Sequence, residues 1–475
     1  MTYQTTLRRT LTPLMLALAL AGCVTAPKLD PNSTPAVPSA FKEADSHWTT
    51  LPQAAAQPQG EWWKVFGDPT LDDLIARANQ GNLSIQAASA RLSQARALFK
   101  QVDADRALQV SASAGAVRQE GQNSVLSTRN AAGQLEPGSM GQVTLNASYE
   151  VDLFGKLSGT SNAASLDAKS REELVASARL VVQTDVAQTY YAIRATDAER
   201  NLVRDTVKAY RATQTVTEHL YREGEVSELD YQRIQAQVAE TESQALELDQ
   251  RRATLEHALA LLMGEAASNF KLDEAVWDGA PPLIPSGIPS TVLARRPDVL
   301  AAENDLLAAQ QRIGVAKAAW FPDLSLTSYG GYASSDLHNF FSWSTRAWGI
   351  GALANLPILD GGRREAGVNL ADAKASESLA EYREHVLTAF KDVEDQLSTL
   401  RILEQQSDIQ AQAVKASSRA TVLSDSRYRN GQVNQLDLLE AQRSELTDRR
   451  LAVQVRSQQY QSTIALIRAL GGGWG

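Results

Sequence analysis

Cysteine is almost missing from this chain: of 475 residues, only Cys23 is one. That excludes an intramolecular disulfide and a cysteine-based metal site. Histidine is scarce as well. There are five, and His219, His257 and His385 fall at irregular intervals with no metal-spaced pair. The sequence carries no nucleophile motif, phosphate loop or zinc motif, so it reads as a protein that is not an enzyme. The net charge is −9 with no basic block, which excludes the electrostatic footprint of a nucleic-acid binder. Beyond the first two dozen residues there is no apolar run of about twenty, so no helix there is suited to crossing a bilayer, and any crossing must use β-strands. Proline is absent from 158–221 and 362–428, and glycine is rare in both. At about 1.5 Å per residue each stretch is a helix on the order of 95 Å long.

What is present begins with an export signal. Arg8 and Arg9 precede a short apolar run from Leu14 to Leu20, and Ala21-Gly22-Cys23 follows. Leu20-Ala21-Gly22-Cys23 resembles a bacterial lipobox, which makes Cys23 the expected site of a covalent lipid and places a signal peptide at 1–22. In lipoproteins that it resembles, aspartate after the cysteine favours retention at the inner membrane, so Val24 favours the outer one. Several acyl chains at about 0.8 kcal/mol per buried methylene anchor firmly. Residues 24–60 are rich in Pro, Ala, Ser, Thr and Gln and read as an extended tether with no packed core.

The chain is then written twice. Tyr221-Arg222-Glu223-Gly224-Glu225-Val226-Ser227-Glu228-Leu229-Asp230 returns 207 residues later as Tyr428-Arg429-Asn430-Gly431-Gln432-Val433-Asn434-Gln435-Leu436-Asp437. The same offset pairs Gly155 with Gly362, Val186 with Val393 and Gly264 with Gly471. Upstream, residues 87–92 match 301–306 at an offset of 214, so the first copy is seven residues longer somewhere between, most simply in the stretch Gln122–Met140. A repeat of this length is the duplication of a whole substructure, and pseudo-symmetry suits a tube or ring better than a single cleft.

Within each copy two periods alternate. Val386, Phe390, Val393, Leu397 and Leu400 step by four and three, and Leu439, Leu446, Val453, Tyr460 and Ile467 repeat every seven, the spacing of coiled-coil packing. Shorter helices are expected at about 71–104 and 298–319, and returning partners of the long helices at about 228–263 and 435–470. Gly224 and Gly431 fit a helix end with positive φ, and Ser227 and Asn434 can cap the helix that follows, so each repeated motif is a tight hairpin tip. Elsewhere the period is two. Val143, Leu145, Ala147, Tyr149 and Val151 alternate with polar residues, as do Trp348, Ile350, Ala352, Ala354 and Leu356 with small or polar ones; partners are expected at about 107–117 and 322–333. Tyr329, Tyr332, Phe340, Phe341, Trp343 and Trp348 around the second hairpin suit an interfacial belt. Four strands cannot close a barrel in lipid, so the chain must oligomerise; eight strands from two copies and twelve from three remain open on this ground alone.

Several stretches also resemble a known family. They are Trp62-Trp63-Lys64-Val65-Phe66-Gly67-Asp68-Pro69, Arg295-Arg296-Pro297-Asp298-Val299, the run from Ile313 to Pro322 and Ala469-Leu470-Gly471-Gly472-Gly473-Trp474. Together they resemble the TolC-like outer-membrane efflux family, in its NodT-type lipoprotein branch, over essentially the whole mature chain. The resemblance implies a mainly α fold with a β-barrel part. Duplicated long coiled-coil hairpins form a periplasmic α-barrel, and four strands per chain contribute to a homotrimeric twelve-strand outer-membrane barrel. It implies a domain plan: a lipid-anchored tether and equatorial segment at 23–70, a first repeat at 71–264 with its hairpin at about 107–151, an equatorial linker at 265–297, and a second repeat at 298–475 with its hairpin at about 322–357. It implies no cofactor beyond the lipid on Cys23. The partners it implies are a periplasmic adaptor protein, an inner-membrane transporter of the RND type and outer-membrane lipid, with the chain as passive exit duct for drugs or other small molecules. A type I protein-secretion duct is the alternative on the same fold.

The resemblance further implies a periplasmic gate at Tyr428, Arg429, Asp437 and Glu440, with Asp230 at the repeat-equivalent of Asp437. Some members carry arginine where this chain has Val433, so that latch is missing; Arg233, repeat-equivalent to Glu440, offers another. A threefold ring of inward carboxylates binds cations, and an arginine paired across helices locks a closed state. The adaptor is expected to dock on the tips, at Arg222, Gly224 and Val226 and at Arg429, Gly431 and Val433.

Overall fold

The computed structural model describes residues 35–43, 60–120, 128–130, 132–277, 279–284, 292, 294–336 and 338–472. Cys23 and the export signal lie outside them. Helix α1 (Pro69–Gly81) starts on Asp68, whose carboxylate accepts from the amides of Thr70 and Leu71 at 2.9 and 3.4 Å, with proline at the first helical position. The sequence predicts one helix over about 71–104. The structure breaks it, and α2 (Leu83–Ala104) is separate. Buried Asn82 is the reason: its side-chain oxygen caps the amides of Ser84 and Ile85 at 2.9 and 3.2 Å, and its amide donates to the Leu262 carbonyl at 2.9 Å.

Strand β1 (Gln109–Gln119) follows, then the two-residue pieces β2 (Thr128–Arg129) and β3 (Leu135–Glu136), and β4 (Gly138–Val151). The long helix α3 (Lys156–Arg222) turns back into α4 (Glu228–Met263). The second copy repeats the order with α5 (Pro297–Ala318), β5 (Asp323–Ser334), β6 (Arg346–Asn355), α6 (Arg363–Arg429) and α7 (Gln435–Ala469). Both α3 and α6 have 67 residues, about 100 Å of helix. Among the described residues no helix is long and apolar enough to cross a membrane.

The chain divides into two compact units. One contains residues 91–171 and 302–382 and holds an antiparallel sheet of order β1-β4-β5-β6. Its registers set Gln109 opposite Ser148, Val151 opposite Leu324 and Asp323 opposite Asn355. The loop between β1 and β4 spans eighteen residues (120–137) and the one between β5 and β6 eleven (335–345), which accounts for the seven-residue change of offset. No residue of β1 or β6 is buried within the chain. Leu145, Trp348 and Ile350 stand well exposed, which a solvated two-faced sheet does not tolerate on its apolar face. Phe340 and Phe341 meet edge to face at 5.0 Å, with Tyr332 at 5.4 Å from Phe341.

The other unit contains residues 35–90, 172–301 and 383–475. Its core joins Trp62, Trp63, Leu71 and Ile75 with Val186, Tyr190, Tyr191, Phe270, Ile284, Val393, Leu397, Tyr460 and Leu466. The segment around Trp62, the stretch after α4 and the end of α7 thus share one hydrophobic cluster. Part of the expected tether is packed as well. Phe41 lies in this core, and the amides of Lys42 and Glu43 donate to Glu394 at 2.7 and 2.9 Å. The composition of 24–60 hid this, because one aromatic anchor in a polar stretch suffices to pin it. Gly264 and Gly471 end α4 and α7 in the same way, with φ near 74° and 86°. A Cβ on Gly264 would lie 2.2 Å from the Gly81 carbonyl oxygen, and one on Gly471 2.9 Å from that of Arg295.

Two ion networks tie this unit together. Buried Arg296 reaches both oxygens of Asp298 at 3.0 and 2.7 Å and Asp392 at 3.0 Å. Burial opposes ionisation of Asp298, but the Arg296 guanidinium outweighs it and holds the carboxyl below its ordinary value. Around fully buried Asp197, Arg252 donates at 2.7 Å and Arg200 at 3.1 Å, while Arg200 also reaches Asp249 and Glu274. Arg252 and Arg194 donate to the carbonyls of Leu272 and Asp273, strapping that segment to the first helical hairpin.

Candidate functional site

The two tips are built alike because the same backbone problem is solved twice. A helix ends with carbonyls that lack partners. At the end of α3 the Glu225 amide donates to Leu220 at 2.9 Å and the Gly224 amide to Tyr221 at 3.0 Å; at the end of α6 Gln432 donates to Arg427 and Gly431 to Tyr428, both at 2.9 Å. This double closure requires positive φ at one residue, and Gly224 and Gly431 have φ of 77° and 69°. The next helix starts on Ser227 in one copy and Asn434 in the other, whose side chains accept from the amides of Asp230 and Asp437 at 3.2 and 3.0 Å. Both aspartates sit in a first helical turn, where a carboxylate is favoured by the helix dipole. Their recurrence therefore has a local cause.

Arg222, Gly224, Arg429, Gly431, Asp437, Glu440 and Arg233 are exposed, while Val226, Val433, Tyr428 and Asp230 are half-buried. An arginine latch running from helix to helix is not what these residues form within one chain. Arg429 pairs with Asp425 at 2.9 Å and Arg222 with Glu218, each one turn back on its own helix. Arg233 pairs with Asp230 at 3.7 Å and Glu440 with Arg443 at 3.2 Å, again within one helix. The reason is reach: at spacings of three and four, partners on a helix are already adjacent.

Contacts that join helices here pair Tyr221 and Gln435 of the repeated motif with Tyr231 and Thr217 outside it. Tyr221 and Tyr231 stack at 5.5 Å with rings 3° from parallel, bracing the first tip. Gln435 donates to the Thr217 hydroxyl at 2.9 Å in a buried bond between α7 and α3. Leu439 packs in a small cluster with Tyr210, Ile234 and Val238. Burial pushes the Tyr210 phenol up to about 12. The second copy has Leu438, Ser417 and Ser424 at the places of Tyr231, Tyr210 and Thr217, and the first has Glu228 and Gln232 at those of Gln435 and Leu439. Differences between copies, not identities, mark this junction. Among the described residues no group of acidic, histidine or cysteine side chains is arranged to hold a metal ion.

Long hairpins with closed tips, a sheet with apolar residues outside and two unpaired edges, and a duplicated order are the geometry of a duct component. The family model described as outer membrane efflux protein matches residues 74–265 and 288–472. The chain belongs to that family. Its relatives in the family include the cation efflux system protein CusC of Escherichia coli O6:H1, 31% identical over 98% of both chains. The probable outer membrane lipoprotein SilC of Salmonella typhimurium is 28% identical over 96% of both. Among solved structures, the CmeC outer membrane channel of Campylobacter jejuni superposes with a TM-score of 0.88 at 25% identity, covering 95% of each chain. As a family member this protein is an outer-membrane efflux channel, mainly helical with a small antiparallel sheet.

Proposed function

We propose that this protein is the homotrimeric, lipid-anchored exit duct of a three-part efflux system, passive in itself and driven from the inner membrane. The observation that carries the reading is the four-stranded sheet, whose outer strands β1 and β6 each pair on one side only. Unpaired strand edges are not tolerated in hydrocarbon, and three copies supply the twelve strands of a closed barrel. Covalent lipid on Cys23 fixes the chain at the outer membrane, in keeping with the lipoprotein naming of SilC. The hairpin tips meet an adaptor protein through Arg222, Gly224, Val226, Arg429, Gly431 and Val433, and an RND-type transporter supplies drugs or other small solutes. Asp230, Arg233, Tyr428, Arg429, Asp437 and Glu440 line the periplasmic entrance, with carboxylates repeated by the trimer.

The test is complementation of a host that keeps its RND transporter and adaptor but lacks its outer-membrane duct. Restored drug resistance is expected, and Arg222→Glu combined with Arg429→Glu should abolish most of it and weaken adaptor pull-down. Assembled surface protein that restores nothing contradicts the efflux reading, and restored secretion of a polypeptide substrate instead favours a type I secretion duct. Unchanged resistance and pull-down in the charge-reversed variant contradict the docking site.

A further inference from the structure

We infer that Arg118 and Arg346 form a site for the phosphate group of a lipid in the outer leaflet, at each seam where β6 of one copy meets β1 of the next. The inference rests on the trimeric duct proposed above and names what its barrel holds at the loop end. Residues opposite each other on paired strands share a face of the sheet, and alternate residues of one strand do too. The registers therefore set Arg118, Ser139, Val143, Tyr332 and Arg346 on the same side as exposed Leu145, Trp348 and Ile350. This is the apolar face, which meets lipid in a closed barrel.

The four long strands carry four charged residues in all. Glu150 and Asp323 stand on the polar face, at the end from which the helices leave, and Lys156 pairs with both, at 3.3 and 3.0 Å. Arg118 and Arg346 stand on the lipid face, one on each outer strand, and both lie next to the loops at the opposite end. Each strand of the sheet runs against its neighbour, so β1 and β6 point in opposite directions. Joining β6 of one copy to β1 of the next thus continues the antiparallel order. It also brings Arg346 of one copy and Arg118 of the next to the same seam.

Neither arginine is neutralised within the chain. The loops at this end hold three carboxylates, Glu120, Glu136 and Asp336, and among the described residues none of them pairs with Arg118 or Arg346. Asp336 accepts instead from the His338 amide at 2.9 Å and from Asn339 at 3.3 Å. A cation on a lipid face is costly at mid-bilayer and tolerated close to the headgroups. The Arg346 Nε donates to the Trp343 carbonyl at 2.9 Å, and its guanidinium lies over the Trp343 ring. This orients the fork and leaves its terminal nitrogens without a partner among the described residues. A guanidinium meets phosphate oxygens two at a time. Exposed Trp343 and Phe341 supply aromatic rings of the kind that settle between headgroup and acyl chain. Cation and apolar flank together favour a phosphate carried by a lipid over a free one.

Native mass spectrometry of the purified full-length protein tests the site, with diphosphorylated lipid A, its dephosphorylated form and inorganic phosphate as probes. Wild type is expected as a trimer that holds one diphosphorylated lipid per seam and binds the dephosphorylated form more weakly. Arg118→Gln and Arg346→Gln should each weaken binding of the diphosphorylated lipid about fivefold, and the double variant on the order of twentyfold, the factors expected for one and two basic residues at an anionic membrane surface. Arg118→Lys combined with Arg346→Lys keeps the charge and should fall between wild type and the double glutamine variant. If the double glutamine variant does not assemble, the two single variants carry the comparison. Glutamine variants that bind as wild type overturn the site, as does equal binding of the dephosphorylated lipid. Inorganic phosphate that binds as tightly as the lipid overturns the assignment to a lipid. A trimer with no preference among the probes removes the site and leaves the duct reading standing; a monomer contradicts the duct reading and takes the seam with it.

Discussion

Asp230 and Asp437 show how one side chain serves two demands. Each occupies the first turn of a helix whose cap residue accepts its amide, so local stability explains its presence in both copies. Glu440 pairs with Arg443 on its own helix and lies beyond the capped first residues. Replacing Asp437 and Glu440 with alanine together should raise conductance or weaken block by divalent cations; single-channel traces matching wild type would remove the acidic ring from the account. A second residue-scale expectation concerns Asp298. Burial raises its carboxyl, but Arg296, which faces it directly, holds it below the ordinary range. A depressed acid contributes stability that is complete above its unfolded value near 3.9 and is lost as pH falls through the lower folded value. Asp298→Asn should therefore lower the thermal midpoint at pH 7 and flatten its fall between about pH 4 and 2. Equal acid slopes for variant and wild type would refute the role of the Arg296 pair. Arg296 itself stood out in the sequence only as part of a family-like motif. Its partner Asp392 lies 96 residues away, a pairing that no local pattern reveals.

Elements were the most legible scale. Long helices, their hairpin partners and all four long strands followed from the two hydrophobic periods, because burial of one stripe or one face dictates each. Two departures have long-range causes. Asn82 splits α1 from α2 through a bond to Leu262, a partner 180 residues on. Phe41 pins the chain before the first helix through a core assembled from four distant segments. Helix ends were legible too, since Gly224 and Gly431 declared their turns. Gly264 and Gly471 were visible as a repeated pair, but their close backbone approaches were not. Gly264→Ala should be poorly tolerated: the left-handed conformation costs about 1–2 kcal/mol, before the contact with Gly81 is considered. Circular dichroism melting should place the variant clearly below wild type, with Gly471→Ala affected in the same direction. A midpoint equal to wild type would mean that α1 and the end of α4 do not meet as described.

At the scale of the whole molecule the chain is incomplete by its own physics. Its sheet ends in two open edges, and its apolar strand residues face outwards without cover. The alternation of 143–151 and 348–356 pointed to lipid-facing strands, and duplication pointed to a ring, yet neither chose between two copies and three. The junction behind the tips was hidden because it lies where the copies differ: Gln435 faces Thr217, while their counterparts are Glu228 and Ser424. The most direct measurement is planar-bilayer conductance of the purified, detergent-solubilised protein, with oligomer mass determined on the same preparation. A trimer that forms small, cation-selective channels is the expected result. A monomer, or an assembly that never conducts, would contradict the duct itself.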